Sequence, residues 1–384
     1  MTYAPARILH VKPGQWGVGG VETFIVSMFE RVDRARLAFD VLTIGDDQEE
    51  TSIDRRLLEL GGRRFAHVEL RHGPTASKIG PLRTLRRLVR EGGYDVVHIH
   101  TGSPFHGLYA YAARSAGAKT AILHSHTSGG RDLPGAVRVV ADVLLGAAPT
   151  DRAACSKDAA RWLFPGRVQD SVRIFRNGVD VDTFRHDADT RRSLRAELDL
   201  GNALAIGHVG RFSLEKNHPL MLRILADMCR TAAETARLAP VLVLVGDGDE
   251  RPAVEDLADE LGVTAQVRFL GLRDDIPSLM NAMDVLLLPS DAEGLGIVGV
   301  EAQAAGLPCI FSTGVPAEID VTGRCRFLPT DADPAEWSVA IQTMADLGRA
   351  DTADDVRRAG YDATGCAADL ESFYLSALRS PDGR

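Results

Sequence analysis

Short apolar runs alternate with amphipathic stretches along most of the chain, and many of the runs end in glycine. Residues 8–11 are apolar and lead into Gly14, Gly17, Gly19 and Gly20, after which residues 21–29 place apolar side chains at helical spacing. This pattern predicts a strand, a glycine-rich turn and a helix. Residues 39–44, 94–100, 121–124, 152–155 and 172–175 read as further strands, with helix-like sequence between the earlier ones. The pattern then restarts. Residues 203–209 read as a strand ended by Gly210 and Arg211, 218–235 as a helix, and 240–245 as a strand ended by Gly246, Asp247 and Gly248. Helices at 251–261, 276–282 and 299–305 alternate with strands at 267–270, 285–289 and 309–312. Strands alternating with helices imply parallel sheets covered on both faces, here in two doubly wound units. The charged stretch 180–202 has no strand pattern and reads as the linker. The resulting division is 1–185 and 186–362, with a terminal amphipathic helix in 363–384 that can pack on either unit.

At 384 residues and 45% hydrophobic, the chain is long enough for two cores, and its composition is that of a soluble globular protein. A formal net charge of −9 argues against a globally basic nucleic-acid binder. The five cysteines are scattered, without a CxxC pair, and suggest neither a disulfide framework nor a zinc site. Reduced thiols and the lack of a leader-like or long apolar segment point to a cytoplasmic setting.

Glu293 and Glu301 bracket a glycine turn and the start of a helix, directly after the strand VLLLPS. Amides near Leu295, Gly296 and Ile297 would lie unpaired at that helix start and could donate to ligand oxygens, while the carboxylates accept from hydroxyls. That combination suits a polyol carrying phosphate. Arg211 and Lys216, five residues apart after a strand, supply cations. Neither glycine-rich turn is a dinucleotide fingerprint, because Glu22 and Arg251 stand where the third glycine would fall. His98, His100, His106, His124 and His126 cluster in the first half; without nearby carboxylates they read as polar strand ends rather than as a metal site.

GGVETF (19–24), ILHSHTS (122–128), NGVD (177–180), GRFSLEKNH (210–218), LVGDGDER (244–251), FLGLRDDI (269–276) and the Glu293-x7-Glu301 pair occur in one order over nearly the whole chain. Together they resemble the retaining glycosyltransferases of family 4, which have the GT-B fold. HSHT, RFSLEKNH and STGVPAEID (312–320) are similar to the capsular and extracellular polysaccharide branch. Leu295 departs from the aromatic residue common in the family.

The resemblance implies two Rossmann-like domains facing a cleft, with the C-terminal helix 363–384 packed back on the first, a nucleotide-sugar donor, and front-side transfer in which the leaving phosphate oxygen takes the acceptor proton. It implies no cofactor and no metal. Arg211 and Lys216 would grip the diphosphate, Glu293 the donor sugar and Glu301 the ribose. Gly19, Gly20, Leu295, Gly296 and Ile297 would approach sugar or phosphate, and Leu270 would line the base pocket. His126 would stand at the reacting centre, with His100, Thr101 and His124 on the acceptor side. The donor is expected to be a UDP-sugar, UDP-N-acetylglucosamine or UDP-glucose. The acceptor is left open between a saccharide, a lipid-linked saccharide and a small polyol such as an aminocyclitol. A nucleotide-sugar epimerase and a non-catalytic nucleotide-sugar sensor are the alternatives. The basic amphipathic stretch 82–90 is either a surface helix with its apolar face in the core or a peripheral membrane contact.

Overall fold

The protein is described by a computed structural model over residues 4–14, 16–17, 19–45, 50–68, 79–129, 135–235 and 239–379. It divides into two compact units, Met1–Gly178 with Ala363–Arg384, and Val179–Asp362.

In the first unit the strands are β1 (Ala6–Pro13), β2 (Leu37–Gly45), β3 (Arg64–Val68), β4 (Val96–Thr101), β5 (Thr120–Ser125), β6 (Asp151–Ala154) and β7 (Val172–Ile174). They form one sheet in the order β3-β2-β1-β4-β5-β6-β7, with every pairing parallel. The helices are α1 (Gly20–Arg31), α2 (Ser52–Glu59), α3 (Gly80–Gly92), α4 (Gly107–Ser115), α5 (Gly135–Ala147) and α6 (Lys157–Leu163). In β4 all six residues, VVHIHT, are buried, as expected of a parallel strand covered on both faces. Ile8, Val96 and Ile122 face a core shared with α1 and the C-terminal helix; Leu9, Val97 and Leu123 face the opposite core, shared with α3 and α4. Alternate residues of each strand therefore feed separate layers.

The second unit begins with α7 (Ala188–Glu197) and β8 (Ala205–Val209), followed by α8 (His218–Glu234), β9 (Val241–Val245), α9 (Arg251–Glu260), β10 (Val267–Phe269), α10 (Ile276–Ala282), β11 (Val285–Leu288), α11 (Ile297–Ala304), β12 (Cys309–Ser312), β13 (Cys325–Leu328), α12 (Pro334–Asp346) and α13 (Ala353–Arg358). Its parallel sheet runs β10-β9-β8-β11-β12-β13. The last helix, α14 (Ala363–Arg379), returns to the first unit, where Leu370, Phe373 and Tyr374 join the core against α1. Residues 380–384 of the terminal stretch lie outside the described residues.

The units divide at 178/179, before the boundary placed at 185/186 from the charged stretch. Most of that stretch is no linker. Arg191 and Arg195 of α7 bond Asp284, and with Arg349 they donate to the carbonyls of residues 280–283 at the end of α10. Cations on helix-terminal carbonyls satisfy groups that have no intrahelical partner. The polar sequence of α7 thus docks it onto the second unit.

Helix α3 covers the basic stretch 82–90. Leu85 and Val89 are buried in the core and Leu82 and Leu88 pack against it, so its apolar side is already occupied. Among the described residues no helix is long and apolar enough to cross a membrane.

Candidate functional site

Each sheet reverses its strand order once, between β1 and β4 in the first unit and between β8 and β11 in the second. In open parallel sheets, ligands bind beyond the carboxyl ends of the strands at such reversals. The chemistry-bearing residues gather at both places.

In the second unit, β8 ends at Val209 and the chain turns through Arg211 to a short 3-10 turn, Leu214–Lys216. Beyond β11, Glu293 lies in the loop before α11. The Lys216 ammonium donates to Glu293 Oε1, and the Ser290 hydroxyl donates to the same oxygen at 2.8 Å. Two backbone bonds hold this arrangement: Asp291 N–H donates to Glu215 O at 2.8 Å, and Glu293 N–H to Gly314 O at 3.1 Å. Both partners of the ion pair are largely enclosed, at 20% and 12% side-chain exposure. A charge-assisted bond there is less screened than one at the surface. Arg211 is exposed close by in the chain, and no bond to its guanidinium is seen among the described residues.

Gly296 caps α11 with φ 79°, a left-handed conformation that side chains disfavour. Ile297 opens the helix, whose first amides lack intrahelical acceptors. The Leu295 side chain is buried in the core, so only its backbone can face a ligand. Glu301 lies one turn into α11; burial pushes its carboxyl up to about 7. Leu270 is half-buried, and its N–H is already bonded to Leu244 O at 2.9 Å, which leaves its carbonyl for a base.

Below this loop His208 donates from Nδ1 to Leu287 O at 2.9 Å, while its Nε2 is buried without a partner. His218 stacks on Phe212 with ring centroids 4.2 Å apart. Burial keeps both imidazoles neutral, His208 well below the usual histidine range and His218 at about 4.

In the first unit, Gly19 caps α1 and Gly20 is its first residue. A Cβ on Gly19 would stand 2.8 Å from Glu22 Oε2. Glu22 is itself buried, pairs with Lys12 at 3.2 Å and accepts from Gly17 N–H at 3.2 Å. Val18, in the same loop, lies outside the described residues.

Beside that turn the structure assembles a stripe of imidazoles. Sheet register sets His10 opposite His98 and His100 opposite His124. His10 Nδ1 lies 2.9 Å from His100 Nε2, and His100 Nδ1 lies 2.8 Å from His126 Nε2. A second chain runs from the Tyr374 hydroxyl to His98 Nδ1 at 2.5 Å and from His98 Nε2 to His124 Nδ1 at 3.0 Å. His10 Nε2 and His124 Nε2 end the chains, buried without partners. Burial holds His10 and His126 at about 3, and His98, His100 and His124 well below the usual range, so all five are neutral near pH 7. Each neutral ring has one N–H and one lone pair, which is what such a chain needs. Two triplets, His10/His98/His100 and His100/His124/His126, bring their nitrogens within reach of one ion. The hydrogen bonds just described already engage nitrogens of every ring in these triplets with one another and with Tyr374, with His10 Nε2 and His124 Nε2 left out of them.

His126 follows β5, its N–H bonded to Thr101 O at 3.1 Å, and it is only partly covered. The three residues expected on the acceptor side lie deeper. Both ring nitrogens of His100 are engaged, His124 is enclosed, and the Thr101 hydroxyl is occupied by Ser103 and by His106 Nδ1 at 2.8 Å. Strand parity turns His100 and His124 into the layer beneath His126, whereas Thr101, next to His100 in β4, faces the other side. Sequence reasoning missed Ser290, His10 and Tyr374. Only the shared strand parity of His10 and His98 signalled any of them.

The comparisons agree with the fold. Residues 190–362 match the model of glycosyl transferases group 1, and residues 18–183 match that of Glycosyltransferase Family 4. The chain is 32% identical over 389 residues to EpsF of Bacillus subtilis (strain 168), which carries a glycosyltransferase name, covering 97% of each chain. It is 27% identical to D-inositol 3-phosphate glycosyltransferase of Streptomyces avermitilis, over 96% of this chain and 86% of that one. Among solved structures, Anabaena HepE in complex with UDP superposes with a TM-score of 0.73 at 19% identity, covering 96% of this chain and 100% of that one.

Proposed function

The chain belongs to the family 4 glycosyltransferases, with the paired Rossmann-like units of the GT-B fold, and we propose that it moves a sugar from a UDP-sugar to a hydroxyl acceptor with retention at the anomeric carbon. The observation that carries this reading is the enclosed Lys216–Glu293–Ser290 constellation beside the Gly296-capped start of α11. A solved relative of this fold holds UDP, which supports a uridine donor.

In this reading Arg211 and the ammonium of Lys216 take the diphosphate, and Lys216 shares its charge between the phosphate and Glu293. Negative charge grows on the diphosphate as the bond from the anomeric carbon to its oxygen breaks, and preorganised cations lower the energy of that state. The acceptor oxygen bonds to the same face of the carbon, and its proton passes to the leaving phosphate oxygen. Because two side-chain cations supply the countercharge, we read the transfer as independent of a metal and of any cofactor. Glu293 accepts from a donor-sugar hydroxyl, and Glu301 accepts from the ribose. The Gly296 and Ile297 amides face the sugar or phosphate, Leu295 contributes backbone, and the Leu270 carbonyl faces the base. In the first unit, Gly19 and Gly20 open α1 at the strand reversal where His126 lies. His100 and His124 support His126 from beneath, and the Thr101 carbonyl accepts its N–H. The acceptor is a saccharide, free or lipid-linked, or a small polyol such as an aminocyclitol.

Nucleotide release from UDP-, GDP-, ADP- and dTDP-sugars tests this, with and without a mixed acceptor pool, using chelator-treated enzyme. Acceptor-stimulated release of UDP, lost in Glu293→Gln, is expected. Conversion of the donor sugar without an acceptor would identify an epimerase instead. Tight nucleotide binding without turnover of any donor would identify a sensor.

A further inference from the structure

A glycine stands at 210, where the chain leaves β8 for the loop that carries Arg211 and Lys216, and two polar side chains border the space it leaves open. A Cβ at that position would stand 3.0 Å from His208 Nε2 and 3.4 Å from Lys216 Cε. The lysine therefore lies across one small gap from a fully buried imidazole near the end of β8.

The tautomer of that imidazole follows from its other nitrogen. The Leu287 carbonyl can only accept, so His208 Nδ1, 2.9 Å away, carries the proton. Burial above all keeps the ring neutral near pH 7. A neutral imidazole has one N–H, so Nε2 holds a lone pair, and it is buried without a donor. A buried acceptor in that state is costly and calls for an explanation. The neighbouring ring supplies none: His218 lies edge-on at 5.0 Å and 79°, and both of its nitrogens are buried without partners as well. The Lys216 ammonium, on the far side of the gap, has three N–H groups and gives one to Glu293 Oε1. That oxygen already accepts from the Ser290 hydroxyl, so it is shared before a sugar arrives.

We propose that His208 is a positioning residue for Lys216: when a sugar hydroxyl engages Glu293, the ammonium turns on its flexible stem and donates to His208 Nε2. This rests on the reading in which Lys216 holds the diphosphate and Glu293 the sugar. The remaining N–H groups of Lys216 then serve the phosphate oxygens. A neutral lone pair suits this task better than a carboxylate, because it fixes the ammonium without cancelling the charge that the leaving diphosphate requires. Glycine at 210 keeps the path between the two side chains clear.

Two amide variants separate the lone pair from the packing. His208→Asn keeps an N–H for Leu287 O and has no acceptor at the Nε2 position, whereas His208→Gln supplies an amide oxygen there. With UDP-glucose and UDP-N-acetylglucosamine and the mixed acceptor pool, kcat should fall about tenfold or more in His208→Asn and recover most of that loss in His208→Gln. Affinity for UDP alone should be unchanged in both, because UDP brings no sugar to draw Glu293 away from Lys216. Equal losses of kcat and UDP affinity in the two variants would mark a purely structural imidazole and overturn the proposal. A second measurement needs no change at 208. In the unaltered protein with 15N-labelled histidine, the lone-pair nitrogen of His208 should move upfield on saturation with a UDP-sugar, stay in place with UDP, and stay in place with either in Lys216→Met. A resonance indifferent to the UDP-sugar would overturn the proposal. Unchanged UDP affinity in Lys216→Ala would instead defeat the underlying donor assignment; a loss there beside an unimpaired His208→Asn would overturn the role of His208 alone.

Discussion

Lowering the pH from neutrality should unfold the first unit through its buried histidines. His10, His98, His100 and His124 are enclosed in the sheet–α1–α14 layer, and burial holds each far below the ordinary histidine value of 6.5. An unfolded chain takes up a proton at each of them near pH 6.5, and the folded chain does not. Stability is therefore complete above about pH 6.5 and is lost progressively as the pH falls below it, until the folded groups themselves titrate. From about pH 7 to about pH 5, each such histidine removes about 2 kcal/mol, the four together about 8 kcal/mol, and His126 and His106, held at about 3 and about 4, add to this. That is comparable with the whole stability of an ordinary domain, about 5–15 kcal/mol. The assay is urea unfolding followed by pulse-labelling hydrogen exchange with peptide readout, which reports β1, β4 and β5 separately from the second unit. The limiting slope for the first unit should be at least about 5 kcal/mol per pH unit, and His10→Gln should reduce it by about 1.4 kcal/mol per pH unit, one proton's worth. A first-unit stability that is flat between these pH values would refute the reasoning, since the imidazoles would then be protonated in the folded state or accessible to water.

The remaining expectations concern the second unit. Lys216→Ala should weaken UDP-sugar binding about ten- to hundredfold, read by calorimetry, and lower turnover about 10²- to 10³-fold; unchanged affinity would remove the diphosphate from this loop. Glu301, pushed up to about 7 by burial, accepts hydroxyl hydrogens when ionised. Nucleotide affinity should accordingly fall about tenfold between about pH 8 and about pH 6, and Glu301→Gln should flatten that profile. Gly296→Ala places a side chain at φ 79° and should destabilise the unit by about 1–2 kcal/mol in thermal unfolding, with loss of donor binding as the head of α11 shifts.

Interior strands were the most readable part of the fold. VLVLV in β9 and VVHIHT in β4 are buried along their whole length, so they appear in the sequence as continuous runs bounded by glycine or charge. Of the four edge strands, β7 and β10 are legible in the sequence, whereas β3 and β13 escaped notice. In β3 and β13 the apolar residues are interrupted by Arg64, His67 and Arg326, so neither shows as an apolar run. Helix α7 was hidden by its own function in the fold. Its arginines reach carbonyls and a carboxylate rather than solvent, and polarity alone made them look like linker.

The candidate site was legible as a set of loops but not as a set of contacts. Glycines and charges interrupt the pattern where strands hand over to helices, which marks Arg211, Lys216, Glu293 and Gly296 one by one. What joins Lys216 to Glu293, 77 residues apart in the chain, is the reversal of strand order that makes β8 and β11 neighbours. The same reasoning covers the histidines. HIH in β4 and HSH after it can be seen in the sequence, and strand parity puts their rings on one face. His10 enters the stripe only because β1 pairs with β4, and Tyr374 because α14 returns to the first unit. Sheet order, set by how two cores close around the strands, therefore converts residues that look like separate polar strand ends into two hydrogen-bonded chains. Spacing along one strand predicts which side chains share a face; which faces meet is decided by connections that leave no local signature.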